Sequence, residues 1–173
     1  TRPPGELVHY WNFNQTGALL TPTRGVGGAL SAGGTHEAGT GQDFAGENAR
    51  DGDLAGSHLR VNNPLTPGTV LNFTLPATGF QNLIVSYETR RSTQGAGIQD
   101  VSYTLDGVEY LPFSSHVVVD GIPELRILDF RETPGVAGNP RFGIRITFRQ
   151  GTGGTTGNQR FDNFTVVGDA IPL

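Results

Sequence analysis

Two short runs at opposite ends of the chain constrain its fold more than anything between them. Leu7-Val8-His9-Tyr10-Trp11-Asn12-Phe13-Asn14 opens it, and Gly157-Asn158-Gln159-Arg160-Phe161-Asp162-Asn163-Phe164-Thr165-Val166-Val167-Gly168 nearly closes it. Both are aromatic and β-branched and are bounded by Gly, Pro and Asn, which is the composition of strands. Terminal strands of this kind commonly pair with each other and close a jelly-roll sandwich. The placement predicts one domain over residues 1–173.

Between the ends, apolar and polar residues alternate with a period of two in pieces of strand length: Thr69 to Leu75, then Asn82 to Thr89. Val101 to Leu105 and Val108 to Phe113 flank Asp106-Gly107, a pair suited to a two-residue type I′ hairpin turn because both central residues take positive φ. Further strands are expected at Val117 to Val119, Leu125 to Phe130 and Phe142 to Phe148. Pro123, Pro134 and Pro140 stay in the gaps, where a missing backbone donor costs nothing. Residues 17–57 differ, being rich in Gly, Thr and Ala with few large apolar side chains. A structureless loop of that length is uncommon in a compact domain, so short irregular strands are expected there, around Gly25 to Ser31 and Phe44, or else ordering by a partner or an ion. The fold class is all-β, an antiparallel β-sandwich of jelly-roll type with little or no helix.

Composition excludes several roles. The 26 Gly and 11 Pro make the chain turn-heavy, yet aromatic and β-branched residues are plentiful enough for a core. A net charge of −4, with basic residues scattered along the sequence except at Arg90-Arg91, argues against nucleic acid. No apolar run approaches the roughly 20 residues of a membrane span, so no membrane insertion is expected. With no Cys there is no disulfide and no thiol chemistry. Thr1 is not an initiator Met, which fits a processed form or a piece of a longer protein, and Ala170-Ile171-Pro172-Leu173 reads as the start of a linker.

The ordered set Tyr10 to Asn14, Leu59 to Pro64, Ser86 to Ser92, Ser102 to Gly107, Arg145 to Phe148 and Gly157 to Asn163 resembles the jelly-roll, carbohydrate-module-like domains of secreted or surface-anchored bacterial proteins. The resemblance spans nearly the whole chain and implies the fold and an extracellular or cell-surface location. It also implies a metal position: Asp162-Asn163 is similar to the place from which such modules supply a carboxylate to a structural Ca²⁺, carbonyl oxygens of the first strand completing the shell. An Asn/Asp pair that ends a ladder and bonds a neighbouring loop accounts for the same residues.

Other candidates rest on the residues alone. Glu47, Asn48, Asp51 and Asp53 gather around Gly52 as a second oxygen-rich cluster, but without the spacing and terminal Glu of an EF-hand a solvated acidic turn accounts for them better than a Ca²⁺ site does. His9, His36, His58 and His116 have no zinc spacing. Ser114-Ser115-His116 lacks a nucleophile elbow, and Glu88, Glu109, Glu124 and Glu132 fall in no glycosidase strand motif, so the chain reads as not an enzyme. Gly151 to Gly157 lacks the Lys and the helix of a phosphate loop and reads as a flexible connection. Sequons at Asn14, Asn72 and Asn163 fall partly within expected strands. Tyr10, Tyr87 and Tyr110 are candidate sugar-stacking residues, the alternative being core packing. Trp11 shares a face with Phe13 and belongs to the core.

The expected function is a non-enzymatic extracellular structural or adhesive module, a surface or filament subunit whose partners are copies of itself or other surface proteins. The alternative is a carbohydrate-binding module with a polysaccharide partner. All twelve basic residues are Arg, so side chains offer neither Lys isopeptide bonds nor disulfides to an assembly. The stiff Thr1 to Gly5 lead is then either an arm that carries the first strand to a neighbouring sheet or the start of a strand in its own sheet.

Overall fold

A computed structural model describes residues 1–40, 44, 46–54 and 56–173. Its strands are β1 (Glu6–Trp11), β2 (Arg24–Gly25), β3 (Ala29–Gly33), β4 (Thr35–Gly39), β5 (His58–Asn62) and β6 (Val70–Thr74). The second half adds β7 (Phe80–Arg91), β8 (Ile98–Thr104), β9 (Tyr110–Val117), β10 (Glu124–Asp129), β11 (Gly143–Arg149) and β12 (Asn158–Ala170). Among the described residues there is no helix. The strands make two antiparallel sheets. One runs β10-β7-β12-β1-β2, with β5 also on β12 and β4 on β5; the other is the five-stranded β3-β6-β11-β8-β9.

The terminal strands pair as expected, Glu6 opposite Gly168 and Trp11 opposite Phe164. β12 holds β7 along one edge, while its other edge is divided between β5 at Asn158 to Phe161 and β1 from Phe164 onward. The change of neighbour falls at Asp162-Asn163, where the ladder with β7 slips and Asn163 adopts φ 49°. Asn tolerates the left-handed region better than most residues, so the bulge has a suitable occupant.

The core lies between the sheets. Trp11 meets Phe73 and Phe164 edge-on with ring centroids 5.3 and 5.7 Å apart, and Phe73 stacks on Phe164 at 3.8 Å. The alternation that makes β11 a strand sends Ile144 and Ile146 into this core and Phe148 against it. Tyr87 belongs here too, fully buried, its hydroxyl donating to Gln99 Oε1 at 2.8 Å. Burial pushes its phenol up to about 12. Expected as a sugar-facing residue, Tyr87 is instead a core residue without a free ring face.

Three expectations about loops change. Asp106-Gly107 does not form a two-residue turn: the last β8–β9 pair is Thr104 opposite Tyr110, which leaves five residues in the loop. Gly107 has φ +82° while Asp106 stays at negative φ and accepts the N–H groups of Val108 and Glu109 at 2.8 Å each. The Asp side chain thus organises a wider turn than the dipeptide alone suggests. Gly151 to Gly157 is held rather than loose, Gly154 N–H donating to Gly95 O at 3.0 Å. Glycines on both loops permit this approach, since a Cβ on Gly153 would collide with Gly95 O. Within 17–57, three short strands form, at 24–25, 29–33 and 35–39, more than was expected there.

Candidate functional site

The outer faces of the two sheets have different fates. Over the larger sheet, residues 46–54 fold as a strap. Asn48, fully buried, donates from Nδ2 to Asn163 O at 2.7 Å and to Ser86 Oγ at 3.1 Å. The carbonyl it meets is the one at the change of neighbour on β12, so the strap supplies the partner that neither β5 nor β1 provides. Glu47 and Asn48 N–H groups donate to Glu88, and Arg50 N–H donates to the Tyr10 hydroxyl at 3.1 Å. Tyr10 is therefore on the side away from Trp11, as the alternation requires, but it is fully covered. Its hydroxyl donates to Asp53 at 2.9 Å, and burial raises its pKa. A ring sealed in this way cannot stack on a sugar, which removes Tyr10 from the candidate ligand-facing residues. The alternation of β1 could not reveal the covering strap.

The acidic cluster belongs to the strap itself, and its side chains part to separate partners. Asp51 pairs with Arg24 at 2.7 Å, Asp53 accepts from Tyr10 and Asn12, and Glu47 lies 3.3 Å from the amino terminus. Asp162 is buried directly opposite Glu88. Burial, reinforced by the Glu88 charge, pushes its carboxyl up to about 8 against the pull of Asn163 N–H. Asn163 Nδ2 donates to Glu88 Oε2 at 2.6 Å. Among the described residues no three His, Cys, Asp or Glu side chains gather as a metal cluster. Calcium at Asp162 therefore has two buried carboxylates in its favour, while Glu88 already accepts three N–H groups.

The outer face of the five-stranded sheet is a polar trough. Cross-strand register sets its outward residues in ranks. Thr74, Gly143, Thr104 and Tyr110 form one, and Ser31, Asn72, Arg145, Ser102 and Pro112 the next. Thr147, Asp100 and Ser115 form a third. Arg145 Nε donates to Asn72 Oδ1 at 2.8 Å, and its guanidinium lies 3.7 Å from the Tyr110 ring centroid. The aromatic ring is thus fixed by a cation over one face. Gly143, without a side chain, lies beneath this pair in a hollow of about 290 Å³ that Thr74, Thr104, Tyr110 and Arg141 also line. A second hollow, about 330 Å³, opens between Asp100, Ser102, Pro112, Ser115 and Thr147. At its edge Arg149 Nε and Nη2 donate to Asp100 at 2.6 and 3.0 Å and Ser115 Oγ donates at 2.5 Å, and these bonds, Arg149 first, hold the Asp100 carboxyl below its ordinary range.

Tyr110 is thus the one of the three candidate tyrosines on an open face. The sequence reading missed Arg141, Arg145 and Arg149, although their spacing of four places 145 and 149 on the same outward side of β11.

No family model and no curated protein matches the chain. Its fold does match solved structures. The CBM22-1 xylan-binding domain of Paenibacillus barcinonensis Xyn10C superposes with a TM-score of 0.60 at 9% identity, covering 99% of this chain and 100% of that domain. The CBM22-2 xylan-binding domain of the same protein gives 0.57 at 13% identity, covering 92% and 98%. The K2 cleaved adhesin domain of Lys-gingipain gives 0.57 at 7% identity, covering 91% and 96%. The fold is that of jelly-roll carbohydrate-module-like domains, as the sequence resemblance implied.

Proposed function

We propose that this chain is a non-catalytic extracellular module that binds polysaccharide across the outer face of its five-stranded sheet. The observation that carries the reading is the Tyr110-Arg145-Asn72 platform, held over a hollow on the face that no strap covers. Aromatic rings offer sugars a flat apolar surface, and fixed polar groups around them satisfy hydroxyls. The fold shared with xylan-binding domains supports the choice of ligand class. A non-catalytic role is supported by the fold shared with xylan-binding domains, and Glu88, one of the four candidate acids, is buried beneath the strap.

Titration of the protein with soluble polysaccharides tests the proposal. Tyr110→Ala is expected to weaken binding about tenfold, in line with the loss of one aromatic anchor, while Tyr10→Phe leaves affinity unchanged. Undiminished affinity in Tyr110→Ala would move the site elsewhere.

An adhesive role draws support from the likeness to the cleaved adhesin domain. The filament reading draws little from the amino-terminal lead. Pro3 is buried, Arg50 donates to Pro3 O at 3.4 Å, Arg2 donates to Ala49 O, and β1 pairs within its own sheet. A structural calcium at Asp162 would relieve the Asp162 and Glu88 charges; chelator is then expected to lower the melting temperature, and identical melts with and without calcium would remove the ion.

A further inference from the structure

Three arginines follow β11 and its approach at a spacing of four residues: Arg141, Arg145 and Arg149. In an extended strand that step is about 13 Å, so the row runs along the trough for more than one sugar ring. Arg145 and Arg149 face outward with Thr147, and Arg141 lines the hollow beside Tyr110. Opposing carboxylates are few. Asp100 is the one acid in the outward ranks, and Arg149 already neutralises it. At the rim, Asp106 is occupied by the N–H groups of its own turn, and Glu109, exposed in the loop just before Tyr110, makes no ion pair with Arg141 or Arg145 among the described residues. Among the described residues neither Arg141 nor Arg145 has an acidic partner. The trough is therefore cationic on a protein whose net charge is −4.

We infer that the polysaccharide taken by this face is anionic, a polymer of uronic acids whose carboxylates meet the arginine row while its rings lie on Tyr110. The inference rests on the proposed binding role and specifies its ligand. Guanidinium groups recognise carboxylates through paired N–H donors, and a row on one strand suits a repeating polymer better than a single sugar. The nearby hydroxyls of Ser102 and Thr147 complement sugar hydroxyls rather than stacked bases, and Tyr110 is the only aromatic ring in the outward ranks, which disfavours a single-stranded nucleic acid.

Calorimetric titration with polygalacturonate, unsubstituted xylan and single-stranded DNA tests this, with Tm as the folding control. At low ionic strength polygalacturonate is expected to bind about tenfold or more tightly than xylan, the gap closing as salt is added. Arg145→Ala and Arg141→Ala should each erase most of that gap. Arg145→Lys should restore part of it, because a point charge keeps the attraction and loses the planar stack on Tyr110. Asp100→Asn should widen the gap by removing the one acid in the trough. Equal affinity for the two polysaccharides, or a gap that survives Arg141→Ala with unchanged Tm, would overturn the anionic ligand and leave polysaccharide binding standing. DNA bound as tightly as polygalacturonate would overturn it as generic anion capture. Binding of neither polysaccharide would overturn both proposals.

Discussion

A carboxyl buried beside another carboxylate lowers its energy with either a proton or a cation. Burial first, and the charge of Glu88 opposite it second, push the Asp162 carboxyl up to about 8, so without metal it keeps its proton at neutral pH. The unfolded chain releases that proton near pH 4, so raising the pH from about 4 to about 8 removes stability, by at most about 1.4 kcal/mol per pH unit; outside that window the group adds no slope. Urea midpoints measured in chelator across that range should fall with pH, and Asp162→Asn should flatten the fall. An unaltered slope in the variant would assign the titration to another group. The same residue shows how far a sequence speaks. Asp162-Asn163 is visible as an oxygen-bearing pair in a last strand, but its bulge depends on β5 and β1 dividing one edge of β12, which no local pattern records. Tyr10 and Tyr87 likewise obey their strand alternation, and only the strap and the opposite sheet decide that both are sealed.

The strap is an element built from hydrogen bonds more than from apolar packing. Asn48→Ala removes the donor to Asn163 O and leaves that carbonyl buried and unpaired, at a cost of about 1–3 kcal/mol. Limited proteolysis should then cut within 46–54 far faster than in the parent, and equal cutting rates would show that Asn48 does not hold the strap. Gly107 makes a separate demand on the β8–β9 turn. Its φ of +82° suits no β-branched residue, so Gly107→Val should destabilise by on the order of 1 kcal/mol or more although a Cβ there meets nothing within 4 Å. An unchanged melting midpoint would refute the strain. Strands with a clean period of two, such as β8 and β11, were legible from sequence because burial on one face writes that period. The 17–57 region was not, because its short strands and strap are Gly-rich and ordered by contacts far along the chain.

For the whole molecule, folding rearranges charge more than composition suggests. Three of the twelve arginines lie along one stretch, Arg141 to Arg149, so a chain of net charge −4 still carries a local cationic row on one sheet face. The amino-terminal lead packs on the strap through Arg2 and Pro3. Deleting Thr1 to Gly5 should therefore lower Tm modestly and leave the sedimentation coefficient at the monomer value; a shift from polymer to monomer on deletion would restore the donor-arm reading. Because Glu6 stands opposite Gly168, both strand ends leave the sandwich on the same side. A force drawn between them loads the β1–β12 ladder one rung at a time instead of shearing all rungs together. Under tension the domain should open by unzipping at low force, whereas a neighbour chain pulling through the bound face would load the second sheet and leave that zipper closed.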